Sequence, residues 1–448
     1  MSKRLWLLGL VGLVLVGLLV ACGSNYNSSS NGLLLVGSQG SQVIQTFSFG
    51  LNNGHVSSIA NSTNDTGNST CIMTGQPGSI VVDPSGSYAF LIQYQTTLCP
   101  KSETGIVTFK INSDGTITSA GNLTSLNIPT IQILGTPDQE QVPVVPFKLT
   151  MDTAGKFLFV ADRATTDSAG RYVPGAVSVF TIGSGGSLSE VAGSPFYTTT
   201  PAMTLSQSGF DIVDVAPTPT VFPQIGINGV QNGVCQAPGN TPPTSEYLYA
   251  VDQLGDQIIE FVVDTTTGVL SLPNGPYTFG AGQTPAGIAV DPCDRFVYVS
   301  NSLSNNISAY TICNGTATQS QFCAQPTTGN LFQVSGSPFS ISGNTSQPGP
   351  LVVDPFGNNV YVVGVASNTI SLFKISSATG GISAMTPATV ATGSRPTAIA
   401  IRADDNWMFV SNFNSGNVSQ YSVTPNGGAL SVAQPITTDN QPFGVAVK

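Results

Sequence analysis

Short apolar stretches separated by polar turns recur along the whole chain. The clearest copy places the apolar stretch Pro285–Val290 before an Asp and a turn, and continues with the apolar stretches Phe296–Ser300 and Asn306–Ile312. Both faces of Phe296–Ser300 are apolar, which is typical of a strand buried between two neighbouring sheets. Gly and Pro occur too often for long helices. The pattern therefore predicts an all-β chain built from one repeated unit.

Six such units begin inside the chain, and the two termini supply the parts of another. The N-terminal part contains a second and a third strand without a first, Leu33–Val36 and Val43–Phe47, whereas Pro442–Val447 is a first strand without successors. Pairing the terminal strands closes a ring and leaves no blade edge unpaired. We therefore predict a seven-bladed β-propeller of four-stranded antiparallel blades, with the N- and C-terminal strands in one blade.

Some segments are longer than a four-stranded blade requires. We expect loop insertions at about residues 120–145 and 162–175, before and within the third blade, and at Pro217–Ser245 in the fourth. Seven blades use the whole body of the chain, so residues 32–448 are predicted to form one domain.

The N-terminus carries a targeting signal. Lys3 and Arg4 precede an apolar run, Leu5–Leu19, and the end of this run, Leu19-Val20-Ala21-Cys22, resembles the lipobox of bacterial lipoproteins. An uncleaved transmembrane anchor is the alternative, but a run of about 17 residues is at the lower limit for crossing a bilayer. We predict a signal peptide over residues 1–21, lipidation of Cys22 and a flexible tether over residues 22–31. The protein is then extracytoplasmic and attached to a bacterial membrane, at the periplasm or the cell surface.

Composition narrows the classes of partner. Hydrophobic residues make up 40% of the chain and charged residues only 8%, which is too apolar for a disordered protein. The formal net charge of −10 makes nucleic acid and anionic lipid surfaces poor partners. We expect a monomer whose membrane contact is the lipid at Cys22.

Several units resemble the YVTN-type β-propeller repeat. The segments that carry the resemblance are Ala289–Pro292, Val297–Asn301, Asn306–Tyr310 and Met408–Asn412. The resemblance covers about residues 32–448 and implies the propeller fold. The family includes the propeller lactonases that are similar to 6-phosphogluconolactonase, and also surface-layer proteins without known chemistry.

Six cysteines remain after Cys22, an even number that fits an oxidising compartment. The positions of these residues in the predicted loops favour three disulfides, Cys71–Cys99, Cys235–Cys293 and Cys313–Cys323. A metal site is disfavoured because the sequence has no C-x-x-C spacing and a single histidine, His55. We expect neither a metal nor another cofactor.

Polar residues are predicted to surround one mouth of the central channel, where first strands begin and second strands end. The first-strand starts contribute Gln76, Thr284, Gln347, Arg395 and Gln441, and the second-strand ends contribute Asp162, Arg163, Asp252, Asn301 and Asn412. These side chains suit an uncharged or anionic polar ligand, with Arg163 and Arg395 as anion contacts. The alternative is that the Asn and Asp residues cap turns through their own side chains. For Asp83, Asp291 and Asp354, each followed by Pro, we favour a turn role over calcium binding.

The residues for catalysis are few. The propeller lactonases and the related cycloisomerase resemble one another in a pore site of His, Arg and acidic side chains, but no His occurs at the matching strands here. We therefore assign no catalytic residue and expect no lactonase turnover. The sequence favours a lipid-anchored binding or scaffold module at the cell envelope, with an envelope protein or a carbohydrate as partner. The alternative is a lactone-hydrolysing enzyme of the propeller lactonase type.

Overall fold

Strands make up nearly all regular structure in the computed structural model. It describes residues 30–40, 43–59, 64–65, 80–93, 105–120, 124–126, 130–133, 139–141, 145–167, 169–198, 202–203, 210–219, 246–273, 278–313, 329–341, 347–424 and 427–448. One 3-10 turn, Ser184–Gly186, interrupts the strands. Within these ranges no helix has the length and apolar character needed to cross a membrane. The predicted signal peptide, Cys22 and most of the tether lie outside the described residues.

Seven antiparallel sheets form the blades, which confirms the predicted seven-bladed β-propeller. The strands of each blade are given from first to fourth. Blade I contains Pro442–Val447, Asn31–Ser38, Val43–Gly50 and Val56–Ser58, and blade II contains Ile80–Val82, Tyr88–Gln93, Gly105–Ile111 and Ile117–Ser119. Blade III contains Val145–Met151, Phe157–Arg163, Ala176–Ile182 and Leu188–Glu190, and blade IV contains Ile212–Pro217, Glu246–Asp252, Gln257–Val263 and Leu270–Ser271. Blade V contains Pro285–Val290, Phe296–Asn301, Asn306–Ile312 and Leu331–Gln333. Blade VI contains Pro348–Val353, Asn359–Gly364, Thr369–Ile375 and Ile382–Ala391. Blade VII contains Pro396–Ile401, Trp407–Asn412, Asn417–Val423 and Leu430–Val432.

Five blades have a further short strand that pairs with the third strand. These strands are Asn64–Asp65, Thr124–Ser125, Thr278–Gly280, Phe339–Ser340 and Ile436–Thr437 in blades I, II, IV, V and VII.

Blade I is assembled from both ends of the chain, as predicted. Leu34 pairs with Val447 and Val36 with Val445 in an antiparallel register. Beyond this register, Lys448 donates its backbone N–H to the carbonyl oxygen of Leu33 at 2.9 Å. The first strand of blade I therefore closes the ring, and residues Leu33–Ser38 of the second strand have partners on both sides.

Neighbouring blades are joined by buried tyrosines. The hydroxyl groups of Tyr298 and Tyr361 donate to the carbonyl oxygens of Gly380 and Gly428 in the next blade, at 3.0 and 2.9 Å. These glycines have φ of 74 and 71°, a conformation that favours Gly. A Cβ on Gly380 would also lie 2.5 Å from the ring of Phe296. Because the sheets pack face to face through such residues, the core lies between blades.

The turns opposite the predicted binding mouth use their aspartates internally. Asp83 accepts the backbone N–H groups of Ser87 and Tyr88 at 2.7 and 2.6 Å, and Asp354 accepts that of Asn358 at 2.7 Å. Asp291 binds the backbone and the guanidinium of Arg295. The predicted turn role is confirmed for these residues.

Three connections contribute strands to two additional sheets above blade III. Thr130–Ile133 pairs with Gln139–Gln141 and, in parallel, with Ala202–Met203, while Thr165–Thr166 and Tyr172–Val173 form a hairpin. The strand Tyr172–Val173 also contacts the strand Ala202–Met203. We call these five strands the cap. They lie in connections that lead from a fourth to a first strand or from a second to a third strand, and we call that end of the ring the upper face.

Cys293 is part of a disulfide, and so is Cys313. Cys71, Cys99, Cys235 and Cys323 lie outside the described residues, and the three predicted pairings therefore stay predictions.

Candidate functional site

The first strands of all seven blades surround a channel cavity of about 360 Å³. Its lining is mainly apolar and includes Ile80, Val213, Leu351 and Ala398, whereas Lys148 is its one charged lining residue among those described. An apolar wall with a single cation is a setting in which that charge is weakly screened by water.

Lys148 is held by a buried carboxylate. Its ammonium group binds Asp214, whose side chain is only 1% exposed. The carboxylate also accepts the backbone N–H groups of Val215 at 2.8 Å and of Ile288 at 3.0 Å. Burial raises the pKa of Asp214, and the adjacent Lys148 opposes this shift. Since both oxygens of Asp214 are occupied, its role is to fix the Lys148 ammonium in the channel wall.

A second ion pair lies where blades III, IV and V meet at the upper face. Arg163 donates from Nε to Oδ1 of Asp211 at 2.9 Å and from Nη2 to Oδ2. Its Nη2 also reaches Oε1 of Gln253 at 3.3 Å, and Gln253 donates to the carbonyl oxygen of Pro285 at 3.2 Å. The guanidinium carbon lies 5.0 Å from the ring centroid of Phe147, which lines the channel. We call Phe147, Arg163, Asp211 and Gln253 the Arg163 cluster.

A cavity of about 320 Å³ adjoins the Arg163 cluster beneath the cap hairpin. It is lined by Ala164, Thr165, Thr166, Tyr172, Asp211 and Leu254, and we call it the cap cavity. The Tyr172 hydroxyl donates to the carbonyl oxygen of Phe210 at 3.3 Å. Burial raises the pKa of Tyr172, and the charge of Asp211 raises it further, so this phenol stays protonated. The cap cavity thus contains hydroxyl donors and one carboxylate.

The described first-strand residues of the prediction occupy equivalent positions at the upper face. Thr284, Gln347, Arg395 and Gln441 all have φ between 53 and 58°, although none is Gly. In each case the backbone carbonyl accepts the N–H of the residue that follows the second strand of the same blade. Gln347, Arg395 and Gln441 are exposed, and the Arg395 guanidinium lies 4.7 Å from the ring centroid of Phe413. Gln76 lies outside the described residues.

Four of the predicted second-strand residues are buried instead of facing the channel mouth. Asn301 donates to Asn306 at 2.8 Å and to Ser308 at 2.9 Å, and Asn412 makes the equivalent bonds in blade VII. Asp252 accepts from the backbone of Asp211 at 2.8 Å and from the side chain of Gln257 at 2.8 Å. These contacts support the alternative, structural role.

Asp162 is the fourth of these buried residues. It accepts the Ser178 hydroxyl at 2.6 Å, and burial raises its pKa to about 8. Its side chain is also engaged within the blade, so Arg163 is the second-strand residue that remains a candidate contact.

Lys148 and Asp211 are not among the residues predicted from the sequence. Asp211 precedes Ile212 as Thr284 precedes Pro285, because Ile212 pairs with Asp252 where Pro285 pairs with Asn301. Blade IV has Ile212 where blades V and VII have Pro285 and Pro396, so the Pro that marks the start of a first strand is absent there. The signal for Lys148 is a cation within an innermost strand that is otherwise largely apolar.

His55 takes no part in this site. It lies exposed between the third strand of blade I and Val56, at a groove on the outer side of the ring that also contains Gln420.

Part of the chain is similar to proteins of a known family. Residues 239–446 match the family model described as lactonase, 7-bladed beta-propeller. The 6-phosphogluconolactonase of Bacillus subtilis is 25% identical over 209 residues, which are 46% of this chain and 54% of that protein. The match thus spans about half the length of this relative.

Solved structures agree with the fold over nearly the whole chain. The periplasmic gluconolactonase of Pseudomonas aeruginosa has a TM-score of 0.60 at 16% identity, covering 93% of this chain and 99% of that one. A protein from Lactobacillus plantarum has a TM-score of 0.59 at 15% identity, with the same coverage.

The predicted binding or scaffold role is wrong. The lactonase family match and the similarity to a 6-phosphogluconolactonase favour the enzyme alternative instead. The family match and the similarity to the Bacillus subtilis protein are both sequence comparisons, and both are with lactonases. They confirm the resemblance to the propeller lactonases that the repeats predict. The chain is a seven-bladed β-propeller similar to the propeller lactonases.

Proposed function

We propose that this protein is an enzyme that hydrolyses sugar lactones at the upper face, beside blades III and IV. The main support for lactone hydrolysis as the reaction is the match of residues 239–446 to the lactonase family model. The relatives named 6-phosphogluconolactonase and gluconolactonase suggest a sugar lactone as substrate. The Arg163 cluster and Lys148 support the location, because they bring fixed cations and a carboxylate to the channel mouth.

Hydrolysis of a lactone requires an activated water and a stabilised oxyanion. Asp211 lines the cap cavity, and its Oδ2 accepts a bond only from Arg163 among the described residues. That oxygen can also accept a proton from water as the water oxygen bonds to the lactone carbonyl carbon. The ring C–O bond then breaks, and the alkoxide takes up the proton to give the hydroxy acid.

Arg163 is suited to stabilise the oxyanion. Its Nε and Nη2 are committed to Asp211 and Gln253, whereas Nη1 makes no hydrogen bond to a described residue. The committed donors fix the plane of the guanidinium, and the Nη1 donors, which no described residue occupies, can bind substrate. Preorganised donors of this kind need no rearrangement during the reaction. Lys148 supplies a second fixed positive charge in the channel wall.

The test is hydrolysis of glucono-δ-lactone by the purified protein, measured against the spontaneous rate. We expect turnover above the background, and Asp211→Asn should lower kcat by about 10²–10⁴-fold, the usual contribution of a general base. Asp404→Asn is the matched control, since it removes the carboxylate of the Arg402 ion pair in a turn at the other end of the ring. A rate equal to background, or full activity of Asp211→Asn, would contradict the proposal.

We also propose that the enzyme is extracytoplasmic and anchored through a lipid on Cys22. The lipobox-like sequence, the disulfide-bonded Cys293 and Cys313, and the periplasmic location stated for the Pseudomonas aeruginosa protein support this address. Cell fractionation of Cys22→Ala tests it, and the variant should leave the membrane fraction. Retention of the variant in that fraction, with the same processing as the parent, would show that Cys22 is not the anchor.

A further inference from the structure

We propose that the substrate is an uncharged lactone, that phosphorylated lactones are disfavoured, and that the cap cavity binds the uncharged part of the substrate. This inference rests on the proposed lactonase function and narrows it to one class of substrate.

The cations near the cap cavity are already neutralised. Arg163 is paired with Asp211, Lys148 with Asp214, and Arg171 of the cap hairpin with Asp167. Proteins usually bind a phosphate dianion with several cations that form charge-assisted hydrogen bonds to it. The described residues offer no such group of unpaired cations around this cavity. Each of these three pairs has no net charge, so none supplies the uncompensated positive charge that a phosphate dianion requires.

The lining of the cap cavity also disfavours an anion. None of its six lining residues is a cation, and Asp211 presents a carboxylate to it. A phosphate there would contact a carboxylate and no lining cation, so nothing in the lining would offset the cost of taking the dianion out of water. Sugar hydroxyl groups, in contrast, can donate to Asp211 and accept from Thr165 and Thr166. The apolar side chain of Leu254, which is 42% exposed, can cover C–H groups of the sugar.

The repeat provides a matched pair of positions for a test. Leu254 and Leu303 occupy the same place in the second-to-third strand turns of blades IV and V, two residues after the buried Asp252 and Asn301. Leu254 lines the cap cavity, whereas Leu303 does not and is 70% exposed. A cation placed at Leu254 therefore enters the proposed subsite, and one at Leu303 lies on the same face outside it.

The experiment compares glucono-δ-lactone with its 6-phosphate using the full-length protein and the variants Leu254→Arg and Leu303→Arg. We expect the unmodified protein to have a kcat/KM at least about tenfold higher for the uncharged lactone, a ratio that differential binding can supply. Leu254→Arg should shift the ratio of the two kcat/KM values about tenfold towards the phosphorylated lactone. Leu303→Arg should leave the ratio at the parent value.

Each outcome decides the question. An equal or higher kcat/KM for the phosphorylated lactone, or the same shift in both variants, would overturn the inference while the proposed function stands. If neither lactone is hydrolysed, the proposed function fails, and the increase in melting temperature with each lactone still tests the subsite. A larger increase with the uncharged lactone supports it. An equal or larger increase with the phosphorylated lactone, or none with either, overturns it.

Discussion

Arg163 binds both carboxylate oxygens of Asp211 and so connects the end of the second strand of blade III to the start of the first strand of blade IV. The two residues are 48 positions apart in the sequence. A planar guanidinium with two parallel bonds has one defined orientation, which a single ammonium group cannot reproduce. The pair therefore fixes the direction of the remaining Arg163 donors, not only a charge.

The first prediction concerns Arg163→Lys. This variant keeps the charge but loses the two parallel bonds and the packing on Phe147, and we expect kcat/KM for a lactone to fall about 10–100-fold. The melting temperature should change little, because a partly exposed ion pair usually contributes about 1 kcal/mol or less. Arg402→Lys is the control, since Arg402 pairs with Asp404 away from the upper face. Equal losses of activity in both variants would argue against a role of Arg163 in the site.

A second prediction tests the tyrosine links between blades. Tyr361→Phe leaves the Gly428 carbonyl without its donor in a buried interface, and an unsatisfied buried group costs about 1–3 kcal/mol. Tyr88→Phe is the control, because Tyr88 is half-buried and its hydroxyl has no described partner. Chemical denaturation of both variants measures the difference in the free energy of unfolding. An equally small loss in both would show that the hydrogen bond adds little to the packing.

The fold could be predicted from the sequence because each blade repeats the same local pattern. The terminal strands Leu33–Val36 and Pro442–Val447 could be placed in one blade, since each supplies what the other lacks. The cap could not, because its parallel pairing of Gln132 with Ala202 joins two insertions that share no pattern with the blades.

The candidate site was harder to predict, and the physical reason is burial. Asn301 and Asn412 end their strands at the channel mouth, as predicted, but satisfying their amide groups inside the blade is more favourable than leaving a buried amide for a ligand. Lys148 and Asp214 come from different blades, and their pairing depends on the curvature of the ring, which the local pattern does not encode.

A third prediction concerns the pH dependence of stability, which follows from buried carboxyl groups. Burial raises the pKa of Glu246, Glu260 and Asp162 to about 8. In the unfolded chain these groups lose their protons near pH 4. Between about pH 4 and pH 8 the folded state therefore binds more protons than the unfolded state does. The free energy of unfolding should therefore be highest at acidic pH and fall as pH rises from about 4.5 to 8.

Glu260→Gln isolates one of these groups. Both oxygens of Glu260 are buried and have no hydrogen-bond partner among the described residues. The variant should therefore be more stable than the parent at pH 8, by about 1–3 kcal/mol, and similar at pH 5. Asp264→Asn is the control, because the backbone N–H groups of Thr267 and Thr266 lower the pKa of this exposed carboxyl and it is ionised throughout this range. Denaturation at both pH values measures the slopes. A parent protein that is equally stable at pH 5 and 8 would contradict the prediction.

The last prediction concerns the closing strand. Val445 is 6% exposed and pairs with Val36, and Phe443 on the same strand is fully buried. Deleting residues 441–448 should expose the edge of Asn31–Ser38 together with the apolar faces of blades II and VII, and cause a large loss of stability or aggregation.

Val445→Asp is a milder change that keeps the backbone pairing but buries a charge, and we expect it to destabilise the fold by several kcal/mol. Val432→Asp is the matched control, because Val432 is 64% exposed in an outer strand of blade VII and its replacement should stay within about 0.5 kcal/mol. Thermal unfolding and light scattering of the three variants measure both effects. A deletion variant that melts like the parent and stays monomeric would show that ring closure does not hold the propeller together.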